Sequence, residues 1–212
     1  MSVAAVVVAG GQGVRFGGLK QFAPLGEETV AARSVRMARS VADAVILVVP
    51  PGYSAPGEGA DVVVEGGATR AASVRAGLAH VGEVDVVVVH DAARPNARPV
   101  LFAAVVAAVV GGADAAVPGL LITDTVKRVT REAGLTVVRA TESRQELMTV
   151  QTPQAFRRTV LMAAHANADE ATDDAALVEI AGGRVVVVAG HRDNIKITEP
   201  ADLELVARGS DA

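Results

Sequence analysis

Two polarity textures alternate along this chain. Short runs rich in Val, Ala, Ile and Leu occupy residues 3–9, 44–49, 61–64, 84–89, 113–117 and 185–188. Their nearly continuous apolar character fits strands buried on both faces rather than strands with one wet side. Helical patterns fill the intervals at 29–41, 69–81, 97–110, 155–166, 173–181 and 199–207. Thr69 before Arg70, and Pro200 in the first turn of the last stretch, are helix-start signals. Strands alternating with helices predict an α/β fold, a Rossmann-like, mainly parallel sheet with helices on both faces.

Residues 121–150 break the pattern. The segments 122–129 and 135–140 alternate apolar with polar positions across a turn containing Glu132, Ala133 and Gly134. That predicts a two-stranded hairpin with one wet face, which is marginal alone and needs something to pack on. Period and length leave open whether the hairpin folds back on its own domain or reaches a second subunit. Residues 50–59, rich in Gly and Pro, read as a surface connection. No repeat or linker interrupts the rest, so residues 1–212 read as one domain with 121–145 as a protruding β-arm.

Composition narrows the class. Half of the 212 residues are hydrophobic but only 2% aromatic, so the core is built from Val, Ala and Leu. A formal charge of −4 argues against non-specific nucleic-acid binding. Zero cysteines exclude disulfides and thiolate chemistry. The first apolar run has no basic segment before it and is too short for a signal peptide, and the apolar stretch from Val100 stops at Asp114, short of the ~20 residues of a membrane span. The expectation is a soluble, cytoplasmic protein.

The candidate chemistry starts where the first strand empties into Gly10-Gly11-Gln12-Gly13-Val14-Arg15-Phe16-Gly17-Gly18-Leu19-Lys20-Gln21. Glycines let backbone N–H groups crowd around an anion, and Arg15 and Lys20 add positive charge. A plain strand-to-helix turn needs neither five glycines nor two cations. A Walker A loop requires Gly-Lys-Ser/Thr, whereas Lys20 lies between Leu19 and Gln21. The dinucleotide fingerprint also fails: Phe16 stands where its third glycine belongs, and the second strand closes in Pro50-Pro51 instead of a ribose-binding acid.

The remaining pattern, Ala-Gly-Gly-x-Gly-x-Arg-x-x-x-x-Lys, resembles that of nucleotidyltransferases joining a nucleoside triphosphate to a sugar phosphate. Five further blocks follow in order: Gly66-Gly67-Ala68-Thr69-Arg70-Ala71-Ala72-Ser73-Val74, His90-Asp91-Ala92-Ala93-Arg94-Pro95, Asp124-Thr125-Val126-Lys127, Thr152-Pro153-Gln154-Ala155-Phe156 and Asp193-Asn194-Ile195-Lys196-Ile197-Thr198. Together they are similar to the 2-C-methyl-D-erythritol 4-phosphate cytidylyltransferase family of the non-mevalonate isoprenoid pathway, over nearly the whole chain. Of 20 basic residues only Lys20, Lys127 and Lys196 are lysine, and all three fall inside these blocks.

That resemblance implies attack by a polyol phosphate on the α-phosphorus of CTP, with pyrophosphate leaving. A phosphate monoester is already anionic near neutral pH, so positioning and charge neutralisation suffice and no general base is needed. Arg15 and Lys20 would stabilise the triphosphate's developing charge, and Arg144 and Lys196 would position the attacking phosphate. Ala9, Gly10, Gly11, Gly13, Lys20, Asp91, Ala92 and Lys196 would hold the nucleotide, with Gly67, Ala68 and Ser73 at the cytosine. Asp91, Arg94, Thr125, Arg144, Thr152, Thr172 and Lys196 would hold the acceptor. Asp91, an acid at a strand end beside a phosphate loop, is the candidate ligand of Mg²⁺ or another divalent cation; its other reading is a turn cap. His90 reads as structural, and Asp124 as holding the hairpin.

In the family the arm embraces a partner, which implies a homodimer. Two positions depart from the pattern: Ala68 stands where the family usually has an acid, and Met148 where it often has tryptophan. The nearest alternative is a cytidylyltransferase for another polyol phosphate such as ribitol 5-phosphate. An NAD-dependent oxidoreductase and a non-catalytic nucleotide sensor are more distant readings.

Overall fold

The computed structural model describes residues 1–13, 15–54, 56–167 and 171–209; Val14 of the glycine loop and Ala55 of the 50–59 connection lie outside the described residues. The chain runs β1 (Val3–Val8), a small hairpin of β2 (Pro24–Leu25) and β3 (Glu28–Thr29), α1 (Val30–Ala38), β4 (Ala44–Val49), β5 (Val62–Glu65), α2 (Arg70–Leu78), β6 (Val86–Asp91), α3 (Pro99–Val110) and β7 (Ala115–Leu121). It continues through β8 (Lys127–Glu132), β9 (Leu135–Thr141), β10 (Met148–Val150), β11 (Gln154–Arg157), α4 (Arg158–Asn167), α5 (Asp174–Ile180), β12 (Val185–Ala189) and α6 (Pro200–Arg208).

The main sheet has the order β10-β7-β11-β6-β1-β4-β5, with β12 also on β7. The pairs β1–β4, β1–β6, β4–β5 and β7–β12 are parallel. Alternating side chains along β1 show how both faces are covered. Val3, Ala5 and Val7 enter a core with Val35 of α1 and Phe102 of α3, while Ala4 and Val6 enter another with Val74 of α2, Leu161 of α4 and Val178 of α5. Helices start where the caps predict: the Thr29 and Thr69 side chains accept from Ala32 and Ala72 N–H, and that of Asp173 from Ala176 N–H.

Several predicted boundaries need correction, among them the end of the 113–117 strand, which runs on to Leu121. The stretch read as helix from Ala155 begins as strand: β11 pairs antiparallel with β6 and β7, and helix starts only at Arg158. A short apolar run is ambiguous by period, and here β6 and β7 offer backbone partners that helix could not use. The predicted hairpin forms as β8–β9, turning at Ala133 and Gly134, both with positive φ (48° and 83°), but its first strand is Lys127–Glu132 instead of 122–129, and residues 122–126 connect β7 to the arm. Two left-handed residues are what a tight hairpin turn compatible with strand twist requires. The arm stands off the sheet, with Val129, Leu135 and Val138 exposed.

Candidate active site

β1 and β6 are adjacent and parallel, so both deliver their carboxyl ends to the same rim. Beyond that rim lies a cavity of about 430 Å³, and three separated segments close it: the glycine loop after β1, the Gly67–Arg70 segment between β5 and α2, and the end of β6 with Lys196. Ala9, Gly10, Gly11, Arg15, Lys20, Gly67, Ala68, Ser73, Asp91 and Lys196 all line it.

The glycine loop is held from inside. Gln21 Nε2 donates to the carbonyls of Ala9 and Gly11 at 2.6 and 2.8 Å. Gly13 does not line the cavity among the described residues; it makes the turn. Its φ is +63°, a Cβ there would sit 1.8 Å from the Gly18 carbonyl oxygen, and its own carbonyl accepts from the N–H groups of Phe16 and Gly17. Ser73 holds the second segment: its hydroxyl accepts from Gly67 N–H at 3.2 Å and donates to the Thr69 carbonyl at 2.9 Å. A Cβ on Gly67 would lie 2.5 Å from that of Ala72, so this segment also requires a residue without one.

Lys196 is presented by an extended stretch whose neighbours point the other way. Ile195 and Ile197 pack with Leu25, Val30 and Val206, and Ile197 N–H donates to the Ala93 carbonyl at 2.8 Å. Lys196 Nζ then donates to Asp91 Oδ2 at 2.7 Å. Lys20 Nζ reaches the same stretch, donating to the Ile197 carbonyl. Burial, then Lys196 and Arg15, lower the Lys20 pKa. Burial alone would raise the Asp91 pKa, but Lys196 and Arg70 outweigh it and hold the carboxyl well below its usual range. The rim is therefore a cluster of cations around one anion, an arrangement suited to a polyphosphate.

Sequence reasoning passed over several parts of this construction. Arg70 lines the cavity and leans on Asp91, with Nε to Oδ1 at 3.4 Å. Pro51 closes one side, so the 50–59 connection supplies a wall, and the stack of Tyr53 on Phe22 (4.0 Å between centroids) ties it to the Lys20 turn. Gly-Pro composition reports a loop but not what the loop touches.

The other expected residues lie around the cavity instead of in its lining, among the described residues. Thr152 is buried, its hydroxyl accepting from Asp91 N–H at 3.0 Å, so it fixes the β6 end. Arg94 Nη1 donates to the Asn194 carbonyl at 2.7 Å, and Asn194 Nδ2 donates to the Thr152 carbonyl at 2.9 Å. Ala92 is fully buried, with its N–H donated to Val8 and its carbonyl accepting from Ser34. Thr172 is exposed before α5. Thr125 and Arg144 sit at the root of the arm, where Arg144 Nη1 donates to the Thr123 carbonyl. Asp124 lines a second hollow there, with Met148 and Arg192. His90 is sealed in the core between Thr152 (3.1 Å) and the Arg94 carbonyl (3.2 Å), and burial pushes its pKa down to about 4.

Among the described residues, no group of three or more His, Cys, Asp or Glu side chains could hold a metal ion. Asp91 is the one carboxylate of the described cavity lining. This donor set suits a divalent cation that arrives with a polyphosphate, drawing its other ligands from phosphate oxygens and water.

The model of the family described as 2-C-methyl-D-erythritol 4-phosphate cytidylyltransferase matches residues 3–208. The chain belongs to this family. It is 46% identical over 213 residues to the protein of that name from Frankia casuarinae, covering 96% of this chain and 79% of the relative. Identity to the Rhodococcus jostii protein of the same name is 44% over 214 residues, covering 96% and 92%. A bifunctional enzyme IspD/IspF from an Anaeromyxobacter species is 44% identical over 216 residues, and there the chain spans only 55% of the relative's length. Among solved structures, the crystal structure of 2-C-methyl-D-erythritol 4-phosphate cytidylyltransferase from Thermus thermophilus superposes with a TM-score of 0.85 at 36% identity, covering both chains completely. Family membership thus joins a glycine loop, cation cluster and lone carboxylate that were already on one rim.

Proposed function

We propose that this chain transfers the cytidylyl group of CTP to 2-C-methyl-D-erythritol 4-phosphate. An oxygen of the acceptor phosphate bonds to the α-phosphorus, the bond from that phosphorus to the α,β-bridging oxygen breaks, and pyrophosphate leaves with the electron pair. The observation that carries this reading is the convergence of Arg15, Lys20 and Lys196 on one cavity with the glycine loop, in a chain of this family.

Each residue has a task that its position supports. Arg15 and Lys20 face the polyphosphate and stabilise charge on the leaving group. Lys196, anchored on Asp91, stands where it can draw the acceptor phosphate toward the α-phosphorus. The Gly67–Ala68 backbone, held by Ser73, offers an acceptor to the amino group that distinguishes cytosine from uracil. With Ala68 in place of an acid, that recognition falls to the main chain. Asp91 is the side chain that would ligate Mg²⁺, or another divalent cation, bound with CTP, and such a cation would supply charge neutralisation.

The arm completes the proposal. Its exposed Val129, Leu135 and Val138 suit packing against a second copy. We assign Thr125 and Arg144 to the acceptor site of a homodimer acting in the cytoplasm; no described helix is long and apolar enough to cross a membrane. Pyrophosphate release measured across CTP, UTP, ATP and GTP, with methylerythritol phosphate and ribitol 5-phosphate as acceptors, tests the reading. Turnover with CTP and methylerythritol phosphate is the expected result. Preference for ribitol 5-phosphate, or for another nucleotide, would overturn it.

A further inference from the structure

A line of charge runs from the core to the cavity wall, and its inner part, from His165 to Arg70, serves no step described so far. His165 Nε2 lies 3.0 Å from Asp174 Oδ1, and Asp174 Oδ2 accepts from Arg70 Nη1 at 2.7 Å. Arg70 Nε then leans on Asp91, which holds Lys196. Four elements meet along this line: α4, α5, α2 and the end of β6.

Helix architecture does not account for it. Asp174 is 1% exposed, and burying a carboxylate so deeply is costly unless it is paired. The cap of α5 is already supplied by Asp173, which accepts from Ala176 N–H at 3.0 Å. Arg70 is misplaced on local grounds. It opens α2, where the helix dipole disfavours a cation, and Thr69 already caps that end. An acid suits the first turn of α5, but its near-complete burial calls for a charged partner, and Arg70 sits where helix formation alone would not place a cation. What the two residues gain is each other, and a guanidinium fixed at the wall of the cavity.

We propose that Arg70 is a triphosphate-binding residue and that Asp174, backed by His165, is the positioning residue that aims it. Nη1 is committed to Asp174 and Nε to Asp91. Among the described residues Nη2 has no protein partner, which leaves it to an anionic oxygen in the cavity. A guanidinium held on two sides loses little freedom when it meets that oxygen, and its planar fork cannot be reproduced by an ammonium. The inference rests on the cytidylyl-transfer reading for the identity of the ligand, but not for the alignment of Arg70.

The test uses the full chain and two readouts: CTP binding by calorimetry in the presence of Mg²⁺, and steady-state pyrophosphate release. Asp174→Asn keeps the volume and removes the charge; Arg70→Gln removes the fork. Each is expected to weaken CTP binding about tenfold, the scale of one charge-assisted hydrogen bond. The KM for the acceptor should change less than about twofold in Asp174→Asn, whose side chain contacts His165 and Arg70 and not Asp91 or Lys196. The double variant should be no worse than either single one, because the two act as a unit. Wild-type CTP affinity in Asp174→Asn, or additive losses in the double variant, would overturn the proposal. If Asp174→Asn fails to fold, Arg70→Lys decides: it retains a charge for Asp174, so a folded variant with undiminished CTP affinity refutes the role. Failure of the functional reading looks different, as a wild-type chain that binds CTP yet releases no pyrophosphate with methylerythritol phosphate.

Discussion

At the scale of single residues, the site gathers like charges that Asp91 offsets only in part. Lys20, Lys196 and Arg15 lie close enough for the last two to depress the first. Removing one of these cations therefore costs the fold little and the reaction much. Lys20→Ala and Arg15→Ala are each expected to lower turnover by about 10²–10³-fold, as for loss of a transition-state donor. Melting temperatures should stay within about 3 °C of wild type. An unfolded Lys20→Ala protein, or one with near-normal turnover, would show that the loop serves the fold and not the phosphate. His90 gives the opposite case, a titratable group that belongs to the core. Its folded pKa is about 4, below its unfolded value of about 6.5. The unfolded chain then binds a proton between these values that the native chain refuses. Stability is fully present above pH ~6.5 and falls as pH drops toward 4, by at most about 1.4 kcal/mol per unit. Denaturant titrations of wild type and His90→Gln across that window should show a shallower acid loss in the variant; parallel curves would mean that His90 is not the group responsible.

At the scale of elements, the glycines decide what the loops can do. Gly67→Ala forces a Cβ against Ala72, so the segment between β5 and α2 must shift. That segment is read as the cytosine contact, so the expected result is a raised KM for CTP and reduced preference for CTP over UTP, with the acceptor KM unchanged. An unchanged CTP/UTP ratio would place base recognition elsewhere. This scale also shows what was legible in the sequence. The strand Ala44–Val49 could be read to the residue, because six β-branched or apolar positions with turn signals at both ends have one physical solution. The start of α4 could not, since Gln154–Arg157 is extended only because β6 and β7 flank it. Lys20 and Asp91 announced themselves by local motif. The pairing of Arg70 with Asp174 did not: 104 positions apart, they meet because α2 packs beside α4 and α4 beside α5, which no local pattern encodes.

At the scale of the whole molecule, the question is why the arm exists at all. Among the described residues β8 and β9 pair only with each other, and their apolar residues Val129, Leu135 and Val138 face solvent. A lone two-stranded ribbon has too little burial to justify that exposure, so a partner surface is expected, and twofold symmetry makes each arm answer the other. Thr125 and Arg144 at its root are absent from the described lining of the chain's own cavity, which suits a site finished by a second copy. The arm is separable, because Glu142 N–H donates to the Val126 carbonyl at 3.0 Å and a short turn can close the stem there. Replacing residues 127–141 by such a turn is expected to give a folded monomer with its CTP affinity retained and its turnover largely lost. Mixing Thr125→Ala chains with Lys20→Ala chains under subunit exchange should then restore activity. Random pairing makes half the dimers hybrid with one intact site each, so recovery should approach about a quarter of wild type. An armless monomer with full turnover would refute the shared site, and so would a hybrid that forms but recovers nothing.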